Sequence, residues 1–362
     1  MRKSLLILLI FNLCLFFNIH AQKSFAEVDQ KISKIPSQQT KSIATLSQWI
    51  NGNFNTDVER LRANYFWVTN HLSYDLRMTR EQSQNLSLQT MVQKAFVERK
   101  AVCEGYAGLM DSICKLTGIQ SLLVSGYVRI NGQLDPTPHV WVAAFVGGKW
   151  TLSDPTFGSG AIINNKYVKE FDPQFFMVTP KKMIETHMPY DPLLQFLDNP
   201  LMHSDFINKK ENLSEKKTYF NFDESLKIFL QSTTEERYRA ELDRISQQNY
   251  THPAIDQRVE FLEASISIFD YNHTIGILTE ISQKFNMAVS SYNAFANLFN
   301  QQQRNPDKKQ QLKFLNEASV QLDEAENMLN NLSSYPQSLQ NQVFTIRKSI
   351  AELRDKIEKS KM

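Results

Sequence analysis

The spacing of hydrophobic residues divides this 362-residue chain into two regions of different character. Up to about residue 205, segments with the three-to-four spacing of an amphipathic helix precede segments rich in β-branched and aromatic residues, which are typical of strands. From residue 206 onwards the pattern is helical throughout. The sequence therefore predicts an α+β domain over residues 22–205 and an all-α domain over residues 206–362, while residues 1–21 form a separate apolar segment.

One predicted helix begins at Cys103, within the sequence Lys100-Ala-Val-Cys-Glu-Gly-Tyr-Ala-Gly108. Its apolar face consists of Tyr106, Leu109, Met110, Ile113 and Leu116. Gly118 supplies the glycine that commonly ends a helix. Because the free N–H groups of a first helical turn favour an anion, this position lowers a thiol pKa and indicates a nucleophile. The alternative is a small buried hydrophobic residue, which is the commoner role of a lone cysteine.

Three further helices are predicted upstream of Cys103. A short one starts at Ile43 and stops at Asn51-Gly52-Asn53. A longer one follows Thr56-Asp57-Val58-Glu59, which has the form of a capping box. The third, over residues 88–99, leads directly into the Cys103 helix.

Strand patterns follow Gly118 and cover residues 121–130, 139–146 and 149–154, with a loop containing two prolines between the first two. Gly147-Gly148 is a two-residue hairpin turn. Pairing of the residues on either side of this turn makes His139 and Asp154 diagonal neighbours, about 7 Å apart at the backbone.

The sheet face that carries His139 is also apolar. Its other members are Trp141, Ala143, Phe145, Trp150 and Leu152. We expect this face to pack on the Cys103 helix. A nucleophile, a base and a residue that orients the base would then meet at one place.

The region after residue 206 contains four hydrophobic stripes at helical spacing. They are Val259, Leu262, Ile266 and Phe269; Ile275, Leu278, Ile281 and Phe285; Leu322, Ala325 and Leu329; and Leu339, Val343, Ile346, Ile350, Leu353 and Ile357. Pro306 and Pro336 mark breaks, and short connections favour antiparallel neighbours, so we expect a helical bundle or hairpin array. The last stripe is expected to pack inside the chain in preference to forming a dimer seam. Binding of a protein partner through this region is one option, but the sequence shows neither what the region binds nor whether it binds anything.

Residues 1–21 have the features of a secretory signal, with Arg2-Lys3, an apolar run and Ala21 at the expected cleavage site. The run is shorter than the roughly 20 residues of a membrane-spanning helix, so we expect an exported protein, periplasmic or secreted, without stable membrane insertion after cleavage. The formal charge of +2 becomes zero when Arg2 and Lys3 are removed. This balance gives no electrostatic basis for nucleic acid as a partner.

Two cysteines remain after the expected cleavage, Cys103 and Cys114. Their separation along one helix is about 16 Å, whereas a disulfide tolerates about 7 Å between Cα atoms. We therefore expect two free thiols, with Cys114 in the core.

Three short sequences resemble the transglutaminase-like superfamily, whose core is related to papain-type cysteine proteases. They are Val102-Cys103-Glu104-Gly105-Tyr106-Ala107, Pro138-His139-Val140-Trp141-Val142 and Ser153-Asp154-Pro155-Thr156, in the family's order Cys, His, Asp. Flanking sequences, Tyr65-Phe66-Trp67-Val68 upstream and Thr186-His187-Met188-Pro189-Tyr190 downstream, are similar to those of bacterial members. The resemblance covers residues 40–205.

This resemblance implies a triad in which Cys103 is the nucleophile, His139 the base and Asp154 the residue that orients His139. The implied substrate is a protein or peptide, attacked at an amide bond through a thioester, without a cofactor or a metal. Cross-linking members usually carry tryptophan after the cysteine, whereas Glu104 follows here, so hydrolysis is favoured over glutamine–amine cross-linking.

Two points stay open on the sequence alone. The Cys103 N–H would form half of an oxyanion hole; Gln89 and Trp67 are upstream candidates for the second donor, and the sequence assigns neither. The alternative function is that of a non-catalytic binding or scaffold protein with the same fold.

Overall fold

The computed structural model describes residues 25–78, 86–209, 221–301 and 307–361. The expected signal segment and the break at Pro306 lie outside these residues. The chain divides into two compact units, one extending to residue 232 and including 243–258, the other formed by 233–242 and the chain from 259 onwards. The boundary placed after residue 205 stays a prediction.

The fold is α+β, as predicted, and its elements follow one another in a simple order. The helices are α1 (25–32), α2 (Ile43–Asn53), α3 (Asp57–His71), α4 (Leu88–Glu98), α5 (Cys103–Leu116), α6 (Pro180–Met183), α7 (His203–Ile207), α8 (Phe222–Gln231), α9 (Thr234–Ser246), α10 (Pro253–Gln301), α11 (Lys308–Asn331) and α12 (Gln340–Lys361). The strands are β1 (Ser73–Tyr74), β2 (Lys100–Ala101), β3 (Ser121–Ile130), β4 (Gln133–Val146), β5 (Lys149–Ser153), β6 (Gly160–Ile163), β7 (Lys166–Lys169) and β8 (His187–Pro189). No helix in the described ranges is long and apolar enough to cross a membrane.

The capping box predicted before α3 is present. The Thr56 side chain accepts a hydrogen bond from the backbone N–H of Glu59, and the Glu59 carboxylate accepts one from that of Thr56. Two N–H groups that the helix leaves unpaired are thereby satisfied. Helix α3 is consequently held at a defined start, next to α5 in the core.

The main sheet has four antiparallel strands in the order β5-β4-β3-β8. The hairpin of β4 and β5 has the predicted register, with Val146 opposite Lys149 and Val142 opposite Ser153. The predicted loop over residues 131–138 was wrong, because β4 starts at Gln133 and pairs with β3 from there. Asn131 and Gly132 both have positive φ and turn the chain in two residues, so no longer loop is needed.

The sheet face assigned to the Cys103 helix was also wrong. Helix α5 shares its core with Val142, Ala144 and Val146 of β4. The Trp141 and Ala143 side packs instead in a second cluster, whose other buried members are Val124, Leu152, Met183, Leu193, Leu194, Phe196 and Leu226. Both faces of β4 are apolar and buried, so the alternation of residues did not distinguish them.

The second unit is helical. Its core joins α10, α11 and α12 and contains most of the predicted stripe residues, including Leu278, Leu322 and Ile350. Helix α10 is continuous for 49 residues, so the first two predicted stripes belong to one helix. The last stripe packs within the chain, and Pro336 lies between α11 and α12 as predicted.

The first unit contains an ion pair between Asp191 and Arg244, which lies in α9. The Arg244 guanidinium donates to both carboxylate oxygens of Asp191 at 2.7 Å, and the Asp191 side chain is only 1% exposed. Removing one partner of such a pair leaves a buried charge unpaired. Residues beyond the predicted boundary at 205 therefore stabilise the first unit.

We predict that Arg244→Met lowers the free energy of unfolding of the first unit by about 3 kcal/mol, the low end of the range for buried pairs because Arg244 is partly exposed. A chain ending at residue 205 should be destabilised at least as much. Urea unfolding followed by tryptophan fluorescence measures this unit alone, because Trp49, Trp67, Trp141 and Trp150 all lie in it.

The matched control is Lys182→Met in the same unit, because the Lys182 side chain is 70% exposed in its ion pair with Glu185 and exposed pairs contribute about 0–1 kcal/mol. Equal stability of the chain ending at residue 205 and the full chain would instead support the predicted boundary.

Candidate active site

Cys103 is the first residue of α5, as predicted. The residue before it, Val102, provides no side-chain cap, although its backbone carbonyl oxygen accepts from the N–H of Gly105 at 3.0 Å. The thiol is buried, 6% exposed, and its Sγ lies 4.0 Å from the carbonyl oxygen of Pro138. The nucleophile candidate therefore lies beside the residue that precedes His139.

The thiol of Cys103 donates a hydrogen bond to the Glu104 carboxylate, with Sγ and Oε2 3.1 Å apart. Burial raises the pKa of Cys103 well above its ordinary value, and the negative charge and hydrogen bond of Glu104 raise it further, while the backbone N–H of Val140 acts in the opposite direction. This direction is the reverse of that expected from the helix N-terminus alone. Cys114 is also a free thiol, and burial raises its pKa to about 12.

His139 and Asp154 meet as the hairpin register indicates. The His139 Nε2 lies 2.7 Å from Asp154 Oδ2, and both residues are buried. His139 is in β4, while Asp154 directly follows β5. An ionised carboxylate only accepts hydrogen bonds, so the His139 Nε2 carries the proton and its Nδ1 is the basic atom of the neutral ring.

The Asp154 carboxylate is completely buried and is satisfied on both oxygens. Its Oδ1 accepts from the backbone N–H groups of Thr156 and Phe157 at 2.8 and 3.1 Å. Burial by itself raises the pKa of Asp154, but the charge of His139 and the hydrogen bonds of two histidines outweigh this and hold it well below its usual range. Asp154 is therefore ionised at neutral pH.

The second histidine on this carboxylate is His187, whose role the sequence did not indicate. Its Nε2 lies 3.1 Å from Asp154 Oδ2, the same oxygen that His139 contacts. We call Asp154, His139 and His187 the Asp154 cluster. Its three ligand atoms lie within 4.8 Å of one another, so it is a group that could hold a metal ion. In the sequence, residues 186–190 resemble bacterial members of the family, and this resemblance is the signal that points to the region of His187.

The structure brings Cys103 next to the strand that carries His139, and His139 into contact with Asp154. Among the described contacts of the sulfur, none is a hydrogen bond to the imidazole of His139. Trp67 lies in the core, stacked on His71 at 4.5 Å, and Gln89 is exposed in the first turn of α4. The oxyanion role of both and the catalytic roles of the triad stay predictions.

Tyr74 is a further residue near the thiol that the sequence did not indicate. It pairs with Ala101, two residues before Cys103. Burial raises its pKa, and the charges of Cys103 and Glu104 raise it further. Its hydroxyl is consequently protonated at neutral pH and can donate a hydrogen bond near the sulfur.

Residues 44–155 match the model of the transglutaminase-like superfamily, and this chain therefore contains a domain of that superfamily. The human protein named kyphoscoliosis peptidase is 31% identical over 178 residues, which are 46% of this chain and 26% of that protein. Hillarin of Drosophila melanogaster is 22% identical over 207 residues, 51% of this chain and 24% of that protein. The chain thus spans about a quarter of the length of these curated relatives.

Among solved structures, the periplasmic domain of TgpA from Pseudomonas aeruginosa is 20% identical to this chain. The match covers 36% of this chain and 48% of that domain, with a TM-score of 0.26.

We predict that Glu104→Gln accelerates alkylation of Cys103 by iodoacetamide at neutral pH. The substitution removes the negative charge beside the sulfur, which lowers the thiol pKa and increases the thiolate fraction. An effect of about one pKa unit corresponds to roughly tenfold in rate at a pH well below the pKa. Mass spectrometry of tryptic peptides measures the rate at Cys103, with Cys114 in the same protein as the internal control.

The same experiment repeated across pH gives the direction of the change in the thiol pKa. The alkylation profile of Cys103 should move to lower pH in Glu104→Gln. An unchanged profile would mean that the carboxylate does not control the thiol. Glu98→Gln, in the preceding helix, is the matched exposed control.

Proposed function

We propose that this chain is a cysteine-dependent enzyme that cleaves an amide or peptide bond by hydrolysis through a thioester. The observation that carries the proposal is the position of the Cys103 helix terminus beside the strand that presents His139, which is itself bonded to buried Asp154. A nucleophile, a base and an orienting carboxylate define acyl-transfer chemistry when they meet at one place. The proposed substrate is a protein or a peptide.

The first step requires the thiol to turn from Glu104 towards the Nδ1 of His139. The imidazole takes the proton of Cys103, and the Asp154 carboxylate stabilises the imidazolium that forms. The sulfur then attacks the carbonyl carbon of the substrate, forming the S–C bond. The backbone N–H of Cys103, in the first turn of α5, would donate to the developing oxyanion.

Collapse of the tetrahedral intermediate breaks the C–N bond, and His139 donates its proton to the leaving amine. A water molecule then attacks the thioester, giving its proton to His139. Cleavage of the S–C bond releases the carboxylic acid, and the proton returns to Cys103. No group besides water is consumed.

Hydrolysis is preferred over amine transfer because a water acceptor needs no second binding site. Glu104, which stands where cross-linking members of the superfamily usually carry tryptophan, supports the same choice. The similarity to a protein named a peptidase is consistent with it. Export to the periplasm or the outside of the cell is part of the proposal and rests on the signal-like residues 1–21.

One observation favours the alternative of a non-catalytic binding protein. The Cys103 thiol is buried and donates to Glu104, which keeps it protonated. A fold of this kind can persist without its chemistry. The helical second unit would then supply the surface for a protein partner.

We predict that the full chain releases new peptide termini from a mixture of unfolded proteins, and that Cys103→Ala and His139→Ala each abolish this release. Residual activity should fall by at least roughly a thousandfold, as when a member of such a triad is lost. Mass spectrometry of the peptides, with and without a primary amine, distinguishes cleavage and deamidation from amine incorporation.

Cys114→Ala is the matched control, because it makes the same substitution in the same helix away from the Asp154 cluster. Product release that survives Cys103→Ala would exclude the proposed mechanism. Absence of any product from the wild-type protein, with binding to a protein partner retained, would favour the alternative.

A further inference from the structure

His187 is completely enclosed and has a defined set of neighbours. It begins β8 and pairs with Val128 of β3, which fixes its backbone to the central sheet. Its ring makes edge contacts with Trp141 at 5.1 Å and Phe157 at 5.2 Å. The side chain has no exposed surface, so His187 does not reach a substrate.

The hydrogen bonds of His187 determine where its proton lies. Its Nε2 faces the ionised Asp154 carboxylate, which only accepts, so Nε2 carries hydrogen. Its Nδ1 lies 2.8 Å from the Thr186 hydroxyl, which can donate to it. Burial lowers the pKa of His187, against the opposing effect of Asp154, so the ring is neutral at neutral pH. His187 is therefore a neutral donor to Asp154 with its second nitrogen already satisfied.

Sharing one carboxylate oxygen has a consequence for His139. Asp154 Oδ2 receives both imidazole N–H groups, while Oδ1 receives two backbone N–H groups. Because each carboxylate oxygen accepts from two donors whose positions are fixed, the carboxylate can adopt only one orientation. Without His187, Oδ2 would lose one of its donors and a space would open beside it, so the carboxylate would be free to turn away from His139.

We propose that His187 is a positioning residue, which acts through Asp154 by donating from Nε2 to Oδ2 and thereby holds His139 in place. The expected effect of His187 on turnover rests on the proposed function. Its expected effect on the hydrogen bonds of Asp154 and His139 does not. His187 has no role as nucleophile, acid or base. It is the fourth side chain of the candidate site, supplied by a strand 33 residues after Asp154.

The wild-type protein gives the first test. In the NMR spectrum of the full chain with isotope-labelled histidines at neutral pH, His187 should carry its proton on Nε2 and have an unprotonated Nδ1. A proton on Nδ1 alone would overturn the proposal, because Nε2 could then not donate to Asp154 Oδ2. This measurement requires no substitution, so it does not depend on the folding of a variant.

The second test compares His187→Gln with His187→Met, two side chains of similar length that differ in the donor. The glutamine amide can donate to Oδ2, so the Nε2–H signal of His139 should stay near its wild-type position in His187→Gln and move in His187→Met. The Nε2–H signal of His203, which bonds to the Tyr190 carbonyl oxygen at 3.0 Å, should stay in both and reports on folding. An unmoved His139 signal in His187→Met would refute the positioning role.

Turnover gives the third test. His187→Met should lower kcat roughly tenfold with little change in KM, because the lost hydrogen bond to a charged group acts on the triad and not on substrate binding. His187→Gln should recover most of this loss. A raised KM with unchanged kcat, or equal activity of the two variants, would contradict the proposal.

The proposed function and the positioning role of His187 are contradicted by different results. If the wild-type protein releases no product while the NMR signals behave as expected, the proposed function is wrong and the positioning of His139 by His187 stands. If the wild-type protein is active and the His139 signal is indifferent to His187, the positioning role is wrong and the proposed function stands.

Discussion

The candidate site depends on one buried negative charge. Asp154 has no exposed surface, and a carboxylate in such a place is stable only when its oxygens are fully hydrogen-bonded or an opposite charge is close. Two backbone N–H groups and two imidazoles meet this requirement. Because the donors come from β4, from the turn after β5 and from β8, the carboxylate ties three parts of the first unit to one point.

The sheet explains why these donors converge. Strands β4, β3 and β8 are neighbours, so His139 and His187 are brought to the same region although they are far apart in the chain. Gly126, in β3, is opposite both His139 and Pro189. A side chain at this position would collide with the Met188 carbonyl oxygen, only 2.1 Å from where its Cβ would lie. Glycine is thus required for β8 to approach closely enough to place His187.

The surroundings of Cys103 keep its thiol protonated. The helix terminus favours a thiolate, but burial and the Glu104 carboxylate oppose it more strongly. The helix dipole contributes only about 0.3–1 kcal/mol, so a neighbouring carboxylate in a buried place readily outweighs it. In the proposed mechanism, the thiol would therefore become a thiolate only after its contact with Glu104 changes, for example by rotation of the cysteine side chain.

Local features of this protein were predictable from its sequence because they depend on residues close together in the chain. The start of α5 at Cys103, the capping box at Thr56 and the register of the β4–β5 hairpin all follow from short-range spacing, and they placed His139 beside Asp154. The sequence could not show which apolar face of β4 meets α5, since both faces are buried. Nor could it show that His187 shares Asp154 or that Glu104 accepts from the thiol, because these contacts depend on long-range strand pairing and on side-chain orientation within the packed core. Short-range periodicity determines elements and their registers, whereas only tertiary packing decides which distant side chains surround a buried charge.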